Sequence, residues 1–431
     1  MARDGNRMGE LSVTERERYL TVTYHIETPL KLPDAAQTIA AVQSIGVGTL
    51  REHDSERIAE VHSARIIEVK PIRGTHVQKL PARNLSRLQR IRAAKITIAF
   101  PHINFGPKIP NMLSAIAGEL FEMNAFTAVK ILDITFPDSF VKQFTGPKFG
   151  IEGCRDILKI YHRPIIGAII KPCVGLSAGR LAELSEEGFR GGLDFIKDDE
   201  LLADTSYNSV RERVQKVTLA MKRAEAQTGE KKMYAFNITD RLDRIRELHD
   251  IVVEGGGRCV MINVAATGME AMRELAEYTK VPVHCHRTFA AVWARSPFIG
   301  ISFPALTKLF RLCGGDQIHC GAIQGKLYES DDEVLSNIDA CTTADMRTNR
   351  ALPVSSGGQW AGKAPINARM IGHYDFIHLS GAGTYGHPDG PSAGARSIRQ
   401  AWDAVLQGIP LNEYAEEHKE LCRALEYFGA A

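Results

Sequence analysis

The sequence has no long hydrophobic run, and none of its apolar stretches reaches the roughly 18 residues that a membrane-spanning helix needs. Its start, Met1 to Arg18, is polar and charged and has no apolar core like that of a signal peptide. Residues 1–17 are therefore predicted to form a flexible arm. We expect a cytoplasmic location and no contact with a membrane.

Charge of one sign is also scarce, since the net charge is only +2, and this gives no reason to expect binding to nucleic acid. The eight cysteines are scattered without a C-x-x-C pair, which favours free thiols in a reducing compartment. With 431 residues, 44% hydrophobic and 24% charged, the chain has an ordinary globular composition and is long enough for two domains.

Residues 18–140 are predicted to form a small α+β domain. Runs rich in β-branched and aromatic residues alternate with helical patterns in the order βαββαβ, which is the ferredoxin-like arrangement. This fold has many functions and so indicates none by itself. The predicted strands are 18–27, 64–70, 95–100 and 129–136, and the predicted helices are 33–45 and 111–123.

Residues 141–431 repeat one unit eight times after a Pro- and Gly-containing linker. Short apolar runs alternate with amphipathic helical patterns, and Ser177 and Asp240 are placed to cap two of the helices. Eight such units predict a (β/α)8 TIM barrel, with a last amphipathic helix at 412–428. The predicted barrel strands are 165–170, 193–196, 233–236, 259–264, 281–285, 317–320, 352–354 and 376–379.

Polar residues follow the predicted barrel strands, where the chemistry of such barrels takes place. Asp199 and Glu200 leave the second strand and offer hard oxygen ligands suited to Mg²⁺, although a solvated turn of charges is the alternative. Lys171 ends the first strand and could act as a general acid or base, or could pair with these carboxylates. Taken singly each residue is explained by packing, but the whole set favours a functional site.

Two further groups could bind anions. The Gly-rich turns at 356–358 and 381–383 can present backbone N–H groups to phosphate oxygens, unless they are simply turns. Arg287 can clamp a phosphate in bidentate fashion, with His319 as a second donor. Such an arrangement suits a substrate that is phosphorylated at one end and polar or acidic at the other.

These motifs together resemble ribulose-bisphosphate carboxylase (RuBisCO) and, more closely, the non-carboxylating RuBisCO-like proteins. The resemblance covers nearly the whole chain and is carried by the segments 170–177, 191–200, 284–287, 318–327, 356–358 and 381–388. It implies a homodimer with shared active sites, Mg²⁺ with CO2 bound as a lysine carbamate, and a sugar phosphate substrate. The metal ligands that it implies are Lys197, Asp199 and Glu200.

The resemblance also assigns the remaining site residues. Lys171, Lys197, His286 and Lys326 would be catalytic. Thr49 and Asn124 would reach from the N-terminal domain into the barrel of the partner. The residues that would bind substrate or phosphate are Thr49, Asn124, Arg287, His319, Ser356, Gly357, Gly358, Gly381 and Ala382.

Departures from the carboxylase pattern predict that this chain does not carboxylate ribulose bisphosphate. No acidic residue stands within 42–44, and Leu50, Cys173 and Ala290 occupy positions where a carboxylase has an aromatic residue, a lysine and a histidine. The retained residues keep the chemistry of enediolate formation. Decarboxylation or carbon–carbon cleavage of a 3-oxo sugar-acid phosphate is the favoured reaction.

Two alternatives stay open. One is a methionine-salvage enolase or isomerase acting on a methylthio-pentulose phosphate, although Asn124 occupies the position of the lysine base in those enzymes. The other is a protein that binds a phosphorylated ligand without catalysis. A lapsed site should have lost its metal ligands, and all three are retained here.

Overall fold

A computed structural model describes residue 9 and residues 11–46, 52–81 and 90–429 of the chain. The chain divides into two compact units, which are described separately. The first consists of Met1–Phe144, Ala290–Lys308 and Asp345–Thr348, and the second, the barrel unit, consists of Thr145–Phe289, Leu309–Ala344 and Asn349–Ala431. The two later segments of the first unit had no signal in the sequence pattern.

The first unit is built on a five-stranded sheet. Its four long strands pair antiparallel, and a short fifth strand from the later segment joins one edge in parallel. In spatial order the strands are Ile299–Ile301, Ala128–Thr135, Tyr19–Thr28, Ile91–Pro101 and Arg65–His76. The predicted ferredoxin-like fold is confirmed, because the four long strands lie in the order that a βαββαβ chain gives.

The helices of the first unit differ in part from the prediction. The first predicted helix ends at Val42, and the segment predicted as one helix from 111 to 123 is divided at Gly118. A Cβ atom at Gly118 would lie 2.5 Å from the carbonyl oxygen of Ser114, so the chain turns there without a side chain. The helices are Val13–Arg16, Leu32–Val42, Glu52–His62, Ile109–Ala117, Asp138–Val141 and Ala291–Ala294, with 3-10 turns at His102–Asn104 and Glu119–Glu122.

The barrel unit contains a closed barrel of eight parallel strands, as the sequence predicts. Each run is apolar on both faces because one face lines the barrel core and the other faces the surrounding helices. In chain order the barrel strands, called strands one to eight below, are Ile165–Ile169, Phe195–Lys197, Met233–Asn237, Cys259–Asn263, Val283–His286, Gln317–Gly321, Leu352–Ser356 and Ile377–Leu379.

The barrel interior is a packed apolar core and not a channel. Phe195, Met261 and Leu379 are among the buried residues that fill it. The helix Gly150–Leu158, which immediately precedes strand one, adds Ile151 and Leu158 to the same core. The carboxyl ends of the strands are therefore left to carry the polar residues.

Helices follow the strands around the barrel. Ser177 caps one of them through a 3.3 Å bond from the backbone N–H of Arg180, as predicted, but the cap predicted at Asp240 is wrong because that helix begins after Arg241 without a side-chain cap. The final predicted helix is two helices. The helices are Gly150–Leu158, Ala178–Arg190, Val210–Thr228, Leu242–Glu254, Val264–Thr267, Met269–Tyr278, Asp331–Thr342, Ala364–Ile371, Ala382–Tyr385, Pro391–Gln407, Leu411–Ala415 and Lys419–Gly429, with a 3-10 turn at Ala361–Lys363. The helix Phe303–Leu312 has residues in both units.

No helix within the described ranges is both long and apolar enough to cross a bilayer.

A buried ion pair joins strands one and two. The carboxylate of Asp194 is fully buried and accepts two bonds from Arg163, at 2.6 and 2.9 Å, and one from the backbone N–H of Ile166 at 2.8 Å. Burial would raise the pKa of Asp194, but the charge of Arg163 outweighs it and the pKa is lowered overall. The pair fixes the register at the start of the barrel.

We expect Asp194→Ala to lower the free energy of unfolding of the barrel by about 3 kcal/mol, because Arg163 would keep a buried charge without its partner. Glu183→Ala breaks an exposed pair with Arg180 and should cost less than about 1 kcal/mol. Urea unfolding followed by far-ultraviolet circular dichroism measures both. Equal effects of the two changes would contradict a structural role for Asp194.

Candidate active site

The acidic motif lies immediately after strand two, where Lys197 is the last strand residue. The Lys197 side chain is fully buried, and its Nζ donates to the carbonyl oxygen of Asp198 at 2.9 Å and lies 3.4 Å from Oε2 of Glu200. Burial lowers the pKa of Lys197, and the carboxylates of Glu200 and Asp199 offset this only in part. The site thus holds a buried amine beside a carboxylate.

Lys171 and Asp199 form an ion pair at the same end of the barrel. Nζ of Lys171 lies 2.6 Å from Oδ2 of Asp199 and 2.9 Å from Sγ of Cys173. Burial would lower the pKa of Lys171, but the bonds to Asp199 and Cys173 outweigh it and raise the pKa overall. The ion pair that the sequence left open as an alternative for Lys171 is present, and it brings this residue into the acidic cluster.

Asp198, between the predicted ligands Lys197 and Asp199, has a structural role that sequence reasoning missed. Its fully buried carboxylate accepts from Nε of Arg213 at 3.0 Å, from the hydroxyl of Tyr234 at 2.6 Å and from the backbone N–H of Asn237 at 2.8 Å. These bonds hold the backbone that presents Asp199 and Glu200. No spacing rule in the sequence distinguishes Asp198 from its neighbours.

Two asparagines at the ends of strands three and four support the backbone of Glu200. Nδ2 of Asn263 donates to the Glu200 carbonyl oxygen at 3.1 Å, and Nδ2 of Asn237 lies 3.4 Å from the same atom. Oδ1 of Asn263 is buried and has no hydrogen-bond partner within the described part of the chain. It is an acceptor available for a bound ligand.

His286 ends strand five and faces Glu200. Its Nδ1 accepts from the backbone N–H of Thr288 at 3.1 Å, so in the neutral ring the proton lies on Nε2, which is 3.4 Å from Oε2 of Glu200. Burial lowers the pKa of His286 well below its usual value, and the nearby charges of Lys197 and Arg287 lower it further. The predicted catalytic histidine is therefore a neutral donor next to the acidic motif.

His319, on strand six, pairs with His284 on strand five. The Nε2 atoms of the two rings are 2.8 Å apart, and the rings of His286 and His319 have centroids 4.2 Å apart. Burial lowers the pKa of His284 to about 3 and also lowers the pKa of His319 well below the usual histidine value. Three neutral histidines are thus packed together in the barrel mouth.

Arg287, the predicted phosphate clamp, is held by a carboxylate of the protein itself. Its Nη1 lies 2.7 Å from Oε1 of Glu329, and its Nη2 contacts Oε2 of the same carboxylate. Nδ2 of Asn337 donates to Oε1 of Glu329 at 2.9 Å. Sequence reasoning missed Glu329, because a pairing between residues 42 apart leaves no local pattern.

The Gly-rich turns lie beside the remaining predicted lysine. The backbone N–H of Lys326 donates to the carbonyl oxygen of Gly357 at 3.1 Å, and a Cβ atom at Gly358, where φ is +81°, would lie 3.1 Å from the Lys326 nitrogen. A Cβ atom at Gly381 would lie 3.4 Å from Cε of Lys171. Ser356 ends strand seven, and Ala382 begins the short helix after strand eight.

Two predicted site residues belong to the first unit, which is described separately. Asn124 belongs to the first unit, ahead of the strand Ala128–Thr135, and Thr49 lies outside the described residues. Their contribution to a shared site stays a prediction.

The donor chemistry fits the Mg²⁺ ion that the resemblance implies. Among the described residues no three His, Cys, Asp or Glu side chains converge to hold a metal, so a metal at Asp199 and Glu200 would need a ligand of another kind. Lys197 lies next to Glu200 and would supply an oxygen once its amine carries CO2. Asp199, Glu200 and a Lys197 carbamate make a set of hard oxygen donors, which Mg²⁺ prefers.

The histidine cluster predicts a pH-dependent stability. Between about pH 3 and pH 6.5 the unfolded chain binds a proton on His284 that the folded chain does not, so acidification destabilises the fold and the effect vanishes above pH 6.5. We expect His284→Asn to reduce the loss of unfolding free energy between about pH 6.5 and 5 by about 2 kcal/mol. Urea titrations at both pH values measure it, and an unchanged loss would contradict a neutral His284.

Comparisons with known proteins agree with this geometry. Residues 150–428 match the family of the ribulose bisphosphate carboxylase large chain, catalytic domain, and residues 8–140 match its N-terminal domain. The chain is 40% identical to the ribulose bisphosphate carboxylase-like protein of Chlorobaculum tepidum, covering 94% of this chain and 93% of that protein.

Two other relatives are similar over almost their whole length. A 3-oxo-isoapionate-4-phosphate decarboxylase of Rhizobium etli is 34% identical, covering 95% of this chain and 99% of that protein. The crystal structure of a rubisco-like protein from Burkholderia fungorum superposes with a TM-score of 0.88 at 35% identity, covering 95% of this chain and 100% of that one.

Proposed function

Because the chain belongs to the ribulose bisphosphate carboxylase large-chain family, we propose that it is a Mg²⁺-dependent enzyme that decarboxylates a 3-oxo sugar-acid phosphate. The observation that carries the proposal is the pairing of Lys171 with Asp199 at 2.6 Å, next to Glu200 and the buried amine of Lys197. It combines a proton donor with a hard-ligand set at one barrel end. The relative from Rhizobium etli supports this reaction class.

The residues have separate roles in this reaction. Mg²⁺, when held by carbamylated Lys197, Asp199 and Glu200, would supply a Lewis acid for the substrate carbonyl. When the carbon–carbon bond to the carboxylate breaks, CO2 leaves and its electron pair stays on the substrate as an enolate. Lys171 then delivers a proton to the carbon that lost CO2. His286 presents Nε2–H toward the same site and can donate to a substrate oxygen.

Phosphate is assigned to the turns at strands seven and eight. Backbone N–H groups at 356–358 and 381–382 can approach phosphate oxygens closely, because glycines leave room there. The stem of Lys326 packs on Gly358, and Lys171 lies next to Gly381, so both turns have a lysine beside them. A lysine beside each turn supports the assignment of the phosphate to this side of the barrel mouth.

Carboxylation is not part of the proposal. A carboxylase would have a glutamate within residues 42–44, and this chain has none there. The amide of Gln43 is instead used inside the first unit: its Nε2 donates to the carbonyl oxygen of Ala115 at 2.9 Å, and its Oε1 accepts from the backbone N–H of Leu120 at 3.2 Å. Cys173 places a thiol beside Lys171, and Ala290 offers no polar atom. The groups that would process a carboxylated intermediate are replaced.

An enolase or isomerase acting on a methylthio-pentulose phosphate is the second candidate, and a non-catalytic binder is the third. An enolase needs a base to remove a carbon-bound proton. Asn124 cannot act as that base, and the Lys171 amine is a hydrogen-bond donor to Asp199 in this geometry and not a base. Decarboxylation needs only the donor, which is why we rank it first.

A substrate panel tests the proposal. We expect 3-oxo sugar-acid phosphates, incubated with Mg²⁺ and bicarbonate in deuterated water, to release CO2 and to take up deuterium at the adjacent carbon. Deuterium uptake without CO2 release from methylthio-pentulose phosphate would replace the decarboxylase with the enolase or isomerase. Carboxylation of ribulose bisphosphate would overturn the interpretation of Gln43, Cys173 and Ala290.

A pair of lysine variants controls the panel. Lys197→Ala should lower turnover by at least about a thousandfold, because the metal set loses one ligand. Lys222→Ala removes an exposed lysine from the helix Val210–Thr228 and should leave turnover unchanged. Full activity of Lys197→Ala would remove the carbamate from the mechanism.

We also propose a homodimer in which each active site takes Asn124 from the partner. Lys197→Ala and Asn124→Ala should each be inactive alone, but subunits mixed after unfolding and refolding should recover about a quarter of the activity. Half of the dimers are then mixed, and each of these has one intact site. Activity assays of the mixture measure the recovery. No recovery, with hybrid dimers demonstrated by a tag on one variant, would contradict a shared site.

A further inference from the structure

The charge of Arg287 is already compensated inside the barrel unit. Its guanidinium forms a two-pronged pair with Glu329, in which the two side chains are only 9% and 2% exposed. Asn337 fixes the carboxylate by donating to Oε1 at 2.9 Å. A Cβ atom at Gly321, the last residue of strand six, would lie 3.2 Å from Nη2 of Arg287 and 3.3 Å from Oε2 of Glu329. A phosphate entering here would meet a carboxylate together with the arginine.

The hydrogen-bond direction at His319 is set from the barrel interior. The Nε2 group of Gln317 faces two sulfur atoms at 3.4 Å, those of Cys154 and Met233, so its Oε1 faces Nδ1 of His284 at 2.8 Å. That oxygen can only accept, so the neutral His284 has its proton on Nδ1 and accepts at Nε2.

The proton of His319 follows from this chain of bonds. The Nε2 atoms of His319 and His284 are 2.8 Å apart, and because His284 accepts there, His319 must donate. Neutral His319 then keeps only a lone pair on Nδ1. Burial lowers the pKa of His319 well below its usual value, which keeps the ring neutral. A lone pair accepts from a hydroxyl but repels a phosphate oxygen.

Two separate observations thus point to the same property of the corner formed by Arg287 and His319. We infer that Glu329 and Gln317 are specificity-determining residues, and that this corner receives an uncharged, hydroxyl-bearing end of the substrate and not a second phosphate. The inference rests on the proposed function, in which the single phosphate lies at the turns 356–358 and 381–382. The substrate class is accordingly a sugar monophosphate with a free hydroxyl at the opposite end.

Titration calorimetry with the unmodified protein, Mg²⁺ and bicarbonate tests this inference. We expect ribulose 5-phosphate and ribulose 1,5-bisphosphate to bind with dissociation constants within about threefold of each other, because the second phosphate gains no charge-assisted contact. Binding of the bisphosphate more than about tenfold more tightly would overturn the inference.

A variant pair adds a second test. Glu329→Gln frees the charge of Arg287 and should tighten bisphosphate binding by at least about tenfold, with monophosphate binding changed less than about threefold. Asp332→Asn removes an exposed carboxylate from the start of the helix Asp331–Thr342 and should change neither constant. Equal tightening of both ligands, or no tightening in a folded Glu329→Gln variant, would contradict the role of Glu329.

Nitrogen-15 NMR of histidine-labelled protein tests the second observation without changing the corner. His319, assigned through loss of its signal in His319→Asn, should show a neutral ring protonated at Nε2 near neutral pH. A ring protonated at Nδ1, or a charged ring, would overturn the role of Gln317. This measurement also decides the matter if Glu329→Gln does not fold.

Failure of this inference is distinguishable from failure of the proposed function. Tighter bisphosphate binding would overturn only the hydroxyl-accepting corner, since a sugar phosphate would still be bound. If the protein bound neither ribulose phosphate, the inference would be overturned, whereas the proposed function would still be decided by CO2 release from the substrate panel.

Discussion

The site depends on the cost of burying charge at the end of strand two. Four ionisable residues follow one another there, and Lys197 is completely buried. Buried charges persist only when they are paired or hydrogen-bonded. Asp198 meets this condition through Arg213 and Tyr234, and its bonds stabilise the turn that carries Lys197, Asp199 and Glu200. The groups that face the barrel mouth are positioned by one that does not.

Closure of the barrel brings the other site residues to the same place. Residues separated by more than a hundred positions in sequence, such as Lys171 after strand one and His286 at the end of strand five, lie at the same end of the barrel although their strands are on opposite sides of it. The apolar core, capped by the helix Gly150–Leu158, favours the carboxyl ends of the strands as the position of polar side chains, with the hydrogen-bonded Gln317 as an exception inside the core. The chain therefore concentrates its charged and hydrogen-bonding groups by the same packing that stabilises it.

Much of the fold could be predicted because its signals are local. Eight continuous apolar runs predict eight buried strands, and alternation predicts the sheet of the first unit. The errors are at helix boundaries: the chain turns at Gly118, where a Cβ atom would meet the carbonyl oxygen of Ser114 one turn earlier, and the helix predicted to be capped by Asp240 begins one residue later without a side-chain cap. Such boundaries leave no periodic pattern.

The sequence indicated residues that the structure brings together at the barrel mouth, but it did not indicate how they pair. Motif spacing identified Lys171, His319 and Arg287, and the sequence even offered an ion pair as an alternative for Lys171. It could not show that Glu329 holds Arg287, because these residues are 42 positions apart and meet only in the folded barrel unit. It also could not show that Gln317 orients a histidine chain from within the core.

The two sides of the barrel mouth consequently differ in electrostatic character. On the side of strands seven, eight and one, the Gly-rich turns lie next to Lys326 and Lys171 and present donors to an anion. On the side of strands five and six, the cation is neutralised and the histidine presents a lone pair. A ligand with a phosphate at both ends would satisfy only one side, whereas a ligand with one phosphate has a single preferred orientation. In the proposed reaction, the position of that single phosphate would orient the reacting carbon over Lys171 without a second phosphate as an anchor.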